Sequence, residues 1–75
     1  MTLILYSTDG CHLCDEAKAL ADGLALQLEV RDIMDQPAWL DAYRIRIPVL
    51  VRDDGAELGW PFDGDRLKEF AHGAD

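Results

Sequence analysis

The sequence predicts an α/β domain of order β-α-β-α-β-β-α, with a four-stranded mixed sheet and helices on both faces. An apolar run at 3–6 precedes an amphipathic helical pattern that begins at a pair of cysteines. Residues 26–31 then alternate between apolar and polar side chains, the period of two that is typical of a strand. A third apolar run, 49–51, leads into a strong turn signal at 53–55, which predicts a closing hairpin.

The first strand and helix are predicted from the segment before Leu24. Thr2–Ser7 has a continuously apolar centre, which suits a central strand covered on both faces. The helix begins at or just before Cys11, and Gly23 is its predicted stop. Its apolar positions recur at spacings of three and four and are Leu13, Ala17, Leu20, Ala21 and Leu24.

The second strand is expected to end near Asp32 and to pair in parallel with the first through a right-handed crossover. The alternation predicts a half-buried strand, whose buried face consists of Leu26, Leu28 and Val30. A short second helix follows, for which Asp35 is the predicted cap and Pro37 lies in the first turn. Its apolar positions are Trp39, Leu40 and Tyr43, which we expect to pack against the sheet.

The last part of the chain predicts an antiparallel pair of strands and a final helix. The strands are 49–51 and 56–59, and the helix runs from a cap at Asp63 to His72. Its buried stripe is predicted to be Leu67, Phe70 and Ala71. Seventy-five residues suffice for one domain, 1–75.

Fifteen acidic and seven basic residues give the chain a net charge of −8. This charge serves solubility, steers the domain toward basic patches on protein partners, and argues against nucleic-acid and membrane partners. The N-terminal apolar run is too short for a signal peptide, and no stretch approaches the ~20 apolar residues of a membrane span. We therefore expect a cytoplasmic monomer.

Cys11 and Cys14 are the candidate catalytic residues. A thiol at a helix N-terminus is stabilised as the thiolate by free backbone N–H groups and by the helix dipole. Residues three apart on a helix are close enough for their sulfurs to bond. We predict that Cys11 attacks a substrate disulfide and that Cys14 resolves the mixed disulfide. The acidic neighbours Asp9, Asp15 and Glu16 oppose the dipole, so a mild reductant is expected.

The sequence gives less support to other roles for the cysteine pair, namely zinc binding, haem attachment or simple packing. The pair could supply two zinc ligands, with His12 or the distant His72 beside them, but a closed zinc site usually takes four well-spaced ligands, so no metal is predicted. Asp15 stands where covalent haem attachment requires histidine. A position at the turn into a helix also argues against an inert, merely packed pair.

Two segments together resemble a known family. They are Tyr6-Ser7-Thr8-Asp9-Gly10-Cys11-His12-Leu13-Cys14 and Ile47-Pro48-Val49-Leu50. The chain resembles, over nearly its whole length, the small glutaredoxin-like members of the thioredoxin superfamily. The resemblance implies a thioredoxin fold, a cis Ile47–Pro48 bond lying against the cysteines, and a protein disulfide oxidoreductase. A cis bond there can leave neighbouring backbone N–H and C=O groups free to pair with an extended substrate.

The candidate substrate-binding residues surround that pair in the expected fold. They are Tyr6, His12, Leu13, Ile47, Pro48, Trp60 and Asp63. Tyr6 is expected to form a wall of the site, Asp63 to cap a helix and bind an amine, and Trp60 either to pack or to contact substrate. The chain departs from typical glutaredoxins in having Asp9-Gly10 before the cysteines, His12-Leu13 between them and Gly59–Asp63 at the glutathione-binding turn.

The predicted function is exchange with protein or small disulfide substrates. No cofactor is needed for the exchange itself, and glutathione or a thioredoxin-reductase-type protein is the expected electron donor. Three alternatives stay open: a glutathione-dependent glutaredoxin, a non-catalytic binding module of the same fold, and an iron–sulfur cluster held between two protomers. The acidic surface would repel the carboxylates of glutathione, which weighs against the first.

Overall fold

The computed structural model describes residues 2–72, which form a four-stranded mixed sheet with three α-helices. The elements are β1 (Thr2–Ser7), α1 (His12–Gly23), β2 (Gln27–Asp32), a short 3-10 helix (Ile33–Asp35), α2 (Pro37–Tyr43), β3 (Val49–Val51), β4 (Glu57–Gly59) and α3 (Gly64–Ala71). This order and the thioredoxin-like α/β class are the predicted ones, so the fold prediction is confirmed. The expected start of β4 at Ala56 is one residue too early.

The strands lie in the order β2-β1-β3-β4, with β1 and β2 parallel and the other two pairs antiparallel. Ser7 pairs with Asp32, Tyr6 with Val49, and Val49 with Gly59. One end of the sheet, which we call the dithiol end, is therefore where β1, β2 and β4 finish and β3 begins. The loop to Cys11 and the segment before Val49 both leave the sheet there.

Two apolar cores cover the two faces of the sheet. The α1/α3 face is mainly aliphatic and contains Leu3, Leu5, Ala17, Ala21, Leu50, Leu58, Phe62, Leu67, Phe70 and Ala71. The α2 face is smaller and contains Tyr6, Ile33 and Val49, with Ile4, Trp39, Leu40, Tyr43, Ile47 and Val51 packed around them. The predicted buried stripe of α3 and the packing of the three apolar residues of α2 are confirmed.

Two local predictions in the second quarter of the chain are wrong. The sequence predicts Val30 on the buried face of β2, but this residue is 48% exposed, because β2 lies at the edge of the sheet and only Leu26 and Leu28 of that face pack against the α1/α3 core. The N-cap of α2 is Gln36, which makes no side-chain capping bond, and not Asp35. Asp35 ends the inserted 3-10 helix, which is itself capped by Asp32 through the N–H of Met34 at 2.9 Å.

Side chains fix the ends of α3. The Asp63 carboxylate accepts the Arg66 N–H at 2.8 Å, as predicted for the cap. At the other end, Arg52 donates to the carbonyl of Phe70 at 3.1 Å and to the carboxylate of Asp54. Because Arg52 follows β3, this contact shows that α3 runs from the dithiol end of the sheet to the opposite end.

Candidate active site

The two cysteines occupy the first turn of α1. Cys11 is the N-cap residue, with extended backbone angles, and its Sγ accepts the N–H of Cys14 at 3.2 Å. Their Cα atoms are 5.2 Å apart and their sulfurs are at bonding distance, so the pair forms a disulfide. Gly10, at φ 77°, supplies the left-handed residue that turns the loop into the helix.

The two cysteines differ in access. Cys11 is partly exposed, whereas Cys14 is 1% exposed, one turn into the helix. The capping bond directs a backbone N–H at the Cys11 sulfur, which stabilises negative charge there. A partner sulfur can therefore reach Cys11 directly and can reach Cys14 only through it.

The surroundings of the pair are acidic and exposed. Asp15 lies in the first turn of α1, and Asp9 is exposed in the preceding loop. His12 lies 3.9 Å from Glu16, and both side chains are exposed, which makes this a weak, pH-dependent contact. The charge balance predicted at this site, a helix dipole opposed by carboxylates, is present in the structure.

The Ile47–Pro48 bond is cis, as the resemblance implies, and Pro48 is fully buried. The backbone beside it is less free than expected. The Ile47 N–H donates to the carbonyl of Tyr43 at 3.0 Å, and the Pro48 carbonyl accepts the Trp60 N–H at 3.1 Å. The turn 44–46 folds back on α2 and takes up that N–H. Within residues 2–72, the carbonyl of Ile47 has no protein hydrogen-bond partner.

Tyr6 lies on the α2 face, in an aromatic cluster. Its ring stacks on Tyr43 at 4.3 Å and meets Trp39 edge-on at 5.5 Å, and Arg31 lies 3.5 Å from its hydroxyl. The side chain is 7% exposed. Tyr6 therefore supports the end of β1 from the α2 face of the sheet. Its role as a wall of the substrate site stays a prediction.

Trp60 and Asp63 follow β4 at the dithiol end. Trp60 is partly exposed, packs against the core of the α1/α3 face, and meets Phe62 edge-on at 5.0 Å. The Trp60–Pro61 bond is also cis. The sequence does not predict this cis bond, since an X-Pro pair alone does not select the isomer. His12 and Leu13 are both exposed beside the cysteines, and Leu13 is 41% exposed.

One exposed residue near this end was missed by sequence analysis. Ile45 is 90% exposed, in the turn that leads to Ile47 and Pro48. The available signal was an apolar residue between two arginines, directly after a short helix. Among residues 2–72, no group of three or more His, Cys, Asp or Glu side chains is arranged to hold a metal ion.

The fold and the cysteine pair define a class of protein, the thioredoxin-fold proteins with a CxxC pair at the start of the first helix. The profile of the family described as "Glutaredoxin-like domain (DUF836)" matches residues 2–71, so the chain belongs to this glutaredoxin-like family. No curated protein sequence gives a significant match. Within residues 2–72, no helix is long and apolar enough to cross a membrane.

Solved structures agree with this assignment. The X-ray structure of the structural genomics target protein XcR50 from X. campestris is 44% identical, with a TM-score of 0.85, over 97% of this chain and 99% of that one. The solution structure of protein Ne2328 from Nitrosomonas europaea is 31% identical, with a TM-score of 0.78, over 92% and 88%. Thioredoxin 1 from Thermosipho africanus, at 13% identity and a TM-score of 0.58 over 96% of both chains, shares the fold.

Proposed function

We propose that the protein is a thiol–disulfide oxidoreductase that works by dithiol exchange. The observation that carries this proposal is the asymmetry of the pair: Cys11 is accessible at the helix N-terminus and accepts a backbone N–H, while Cys14 is buried within bonding distance of it. Nucleophilic attack needs an accessible thiolate, and resolution needs a second thiol that only the first can meet. The family assignment supports a redox role of this type.

The exchange balances in two steps. The Cys11 thiolate attacks one sulfur of a substrate disulfide, which forms a mixed disulfide and releases the other substrate sulfur as a thiolate. Cys14, once deprotonated, attacks the Cys11 sulfur and releases the second substrate thiolate. The substrate gains two electrons and takes up two protons, and the protein is left with the Cys11–Cys14 disulfide.

The substrate segment would lie across the dithiol end. His12 and Leu13 are exposed beside the pair, and Pro48 and the unpartnered carbonyl of Ile47 directly precede β3, which begins at the same end of the sheet. We propose that this carbonyl accepts one N–H of an extended substrate, so that pairing is limited to a single backbone bond. In the same proposal Trp60 adds an apolar side wall, Tyr6 supports the end of β1 from the α2 face, and Asp63 accepts an amine at the start of α3.

The protein disulfide must be reduced again after each cycle. Glutathione or a thioredoxin-reductase-type protein would supply the electrons, and a cytoplasmic location fits a dithiol that is kept reduced. A net charge of −8 and the acidic start of α1 disfavour tight binding of anionic glutathione, so a protein donor is the better match. We propose no metal or organic cofactor for the exchange.

The reduction potential of the pair tests this function. Protein equilibrated across glutathione redox buffers, with free thiols trapped and counted by mass spectrometry, should convert between dithiol and one intramolecular disulfide. A midpoint of roughly −180 to −270 mV, the range of known dithiol oxidoreductases, is expected. Stable glutathione adducts, bound iron, or no internal disulfide would contradict dithiol exchange and favour the glutathione-dependent, cluster-binding or non-catalytic alternatives.

A further inference from the structure

The exposed large apolar side chains are not spread evenly over the molecule. In residues 2–72 they are Leu13, Val30, Met34 and Ile45. Leu13 lies between the cysteines, Met34 follows the end of β2, and Ile45 lies in the turn before Pro48. Val30 precedes the end of β2 by two residues. Leu13, Met34 and Ile45 therefore belong to segments that start from or lead to the dithiol end of the sheet, whereas Val30 pairs with Leu5 in the middle of it.

The turn between β3 and β4, at the opposite end of the sheet, has a polar surface. Its residues 53–55 are exposed, and Arg52 beside it is engaged by Asp54 and by the end of α3. Exposed apolar side chains cost solubility, and a chain of high net charge has ample polar residues to replace them. Three exposed apolar side chains in segments at the dithiol end indicate a surface that meets an apolar partner.

The charges at the dithiol end indicate the charge that a partner should carry. Asp9, Asp15 and Asp35 are exposed there, and none has a cation within 4 Å in the described part of the chain. The unpaired cations of the turn 44–46 are fewer than these three carboxylates. Arg44 and Arg46 are both exposed in that turn, but the charge of Arg46 is offset by Glu57 at 2.6 Å. This leaves Arg44 as the basic residue there without a carboxylate within 4 Å in the described part of the chain. The balance at this end is negative.

We propose that Leu13, Met34 and Ile45 form a docking surface for a protein segment in which the disulfide is flanked by apolar and basic residues. This inference rests on the proposed function, since it names the substrate class of the same dithiol. Apolar contacts would provide affinity, and the carboxylates would accelerate encounter and select against anionic partners. Small anionic disulfides lack both features and would be poorer substrates.

Three synthetic peptide disulfides test the substrate class. One carries leucine and lysine around the disulfide, the second replaces lysine by glutamate, and the third replaces leucine by serine. Each peptide is mixed with pre-reduced protein, and its second-order rate constant is divided by that for hydroxyethyl disulfide, a small neutral substrate, which corrects for changes in thiol reactivity. We expect the leucine–lysine peptide to exceed each of the others by about fivefold at low salt, and the lysine preference to shrink at 0.5 M salt.

Matched variants assign the effect to the named residues. Ile45→Ser should lower the preference for leucine over serine about threefold, while Ile45→Leu should retain it. Asp9→Asn should lower the preference for lysine over glutamate about twofold, whereas Asp53→Asn, an equal charge change at the opposite end of the sheet, should leave it unchanged.

The outcomes separate the two proposals. Reduction of hydroxyethyl disulfide with equal relative rates for the three peptides would overturn the docking surface and leave dithiol exchange standing. Failure to reduce any of the four disulfides would overturn dithiol exchange itself. Concentration-dependent dimerisation of the wild-type protein that Ile45→Ser abolishes would also overturn the docking proposal, because a second copy of the chain would then cover the surface.

Discussion

The two faces of the sheet are built differently. On the α1/α3 face, which has a mainly aliphatic core, each of the two helices buries three residues. On the α2 face, a seven-residue helix buries no residue fully and lies over an aromatic cluster rimmed by ion pairs. The first face holds the helix that carries Cys11 and Cys14, and the second leads into the turn with Ile45. The cysteine pair thus lies on the face with the larger buried core, and the segment that leads to Pro48 lies on the face with the smaller one.

The largest difference is expected between the two cysteines at the start of α1. Cys11→Ser should abolish reduction of disulfide substrates, because the accessible nucleophile is lost. Cys14→Ser should still attack and then accumulate a mixed disulfide at Cys11, detectable as a mass increase that dithiothreitol removes. Retained turnover in Cys11→Ser would show that Cys14 is reached without Cys11 and would break the assignment of roles.

A second prediction compares core residues on the two faces. Leu67 of α3 is fully buried, whereas Leu40 of α2 is half-buried. Leu67→Ala should lower the free energy of unfolding by about 2–5 kcal/mol, and Leu40→Ala by about 1–2 kcal/mol. Urea denaturation followed by circular dichroism measures both. Equal losses would mean that the α2 face contributes as much stability as the α1/α3 face.

The N-caps of α3 and α2 give a smaller effect, and the two variants should change the stability in opposite directions. Asp63→Ala removes the capping bond to Arg66 and should destabilise the protein by about 1 kcal/mol. Gln36→Asp should stabilise it by roughly 0.5–1 kcal/mol, because Gln36 has the extended cap conformation but makes no side-chain bond to α2. Thermal denaturation of the two variants checks the signs. A destabilised Gln36→Asp variant would contradict the description of the α2 cap.

The smallest expected effect is a pH-dependent change in stability at the rim of the α2 face, where Arg46 and Tyr43 contact Glu57. The Arg46 guanidinium, and then the Tyr43 hydroxyl at 3.2 Å, hydrogen-bond the Glu57 carboxylate and hold its pKa below the ordinary value. Its contribution to stability is therefore complete above a pH of about 4.3 and is lost as the pH falls through the lowered pKa.

For this partly exposed pair, solvent screening limits the contribution to roughly 1 kcal/mol or less. Glu57→Gln should remove that part of the acid-induced loss of stability, as measured by urea denaturation between pH 3 and 6. A change of the same size in Glu29→Gln, which removes the pair with Arg31 on the edge strand, would show that the effect is not specific to this rim.

Much of the fold could be predicted because its signals are local. The apolar centre of β1, the helical spacing after Cys11, and the cap at Asp63 each lie within one element, and the structure has them as expected. The same locality explains the predicted contrast between Cys11 and Cys14, which depends only on their positions in the first turn of a helix.

The remaining features depend on the chain as a whole. Val30 is exposed because β2 lies at the edge of the sheet, and strand order is not written in the alternation of β2 itself. The Ile47 N–H is engaged because the turn 44–46 folds back on Tyr43. Tyr6 joins an aromatic cluster formed by residues more than thirty positions away. Each depends on packing between distant segments.

The most direct test of the account is the order in which the two thiols react. Fully reduced wild-type protein is exposed briefly to limiting iodoacetamide at neutral pH, and the labelled peptides are separated by mass. The unfolded chain in urea serves as the control, in which both cysteines should react alike. We predict that native protein carries the label almost entirely on Cys11. Equal labelling, or preferential labelling of Cys14, would contradict the assignment of an accessible nucleophile and a buried resolving thiol.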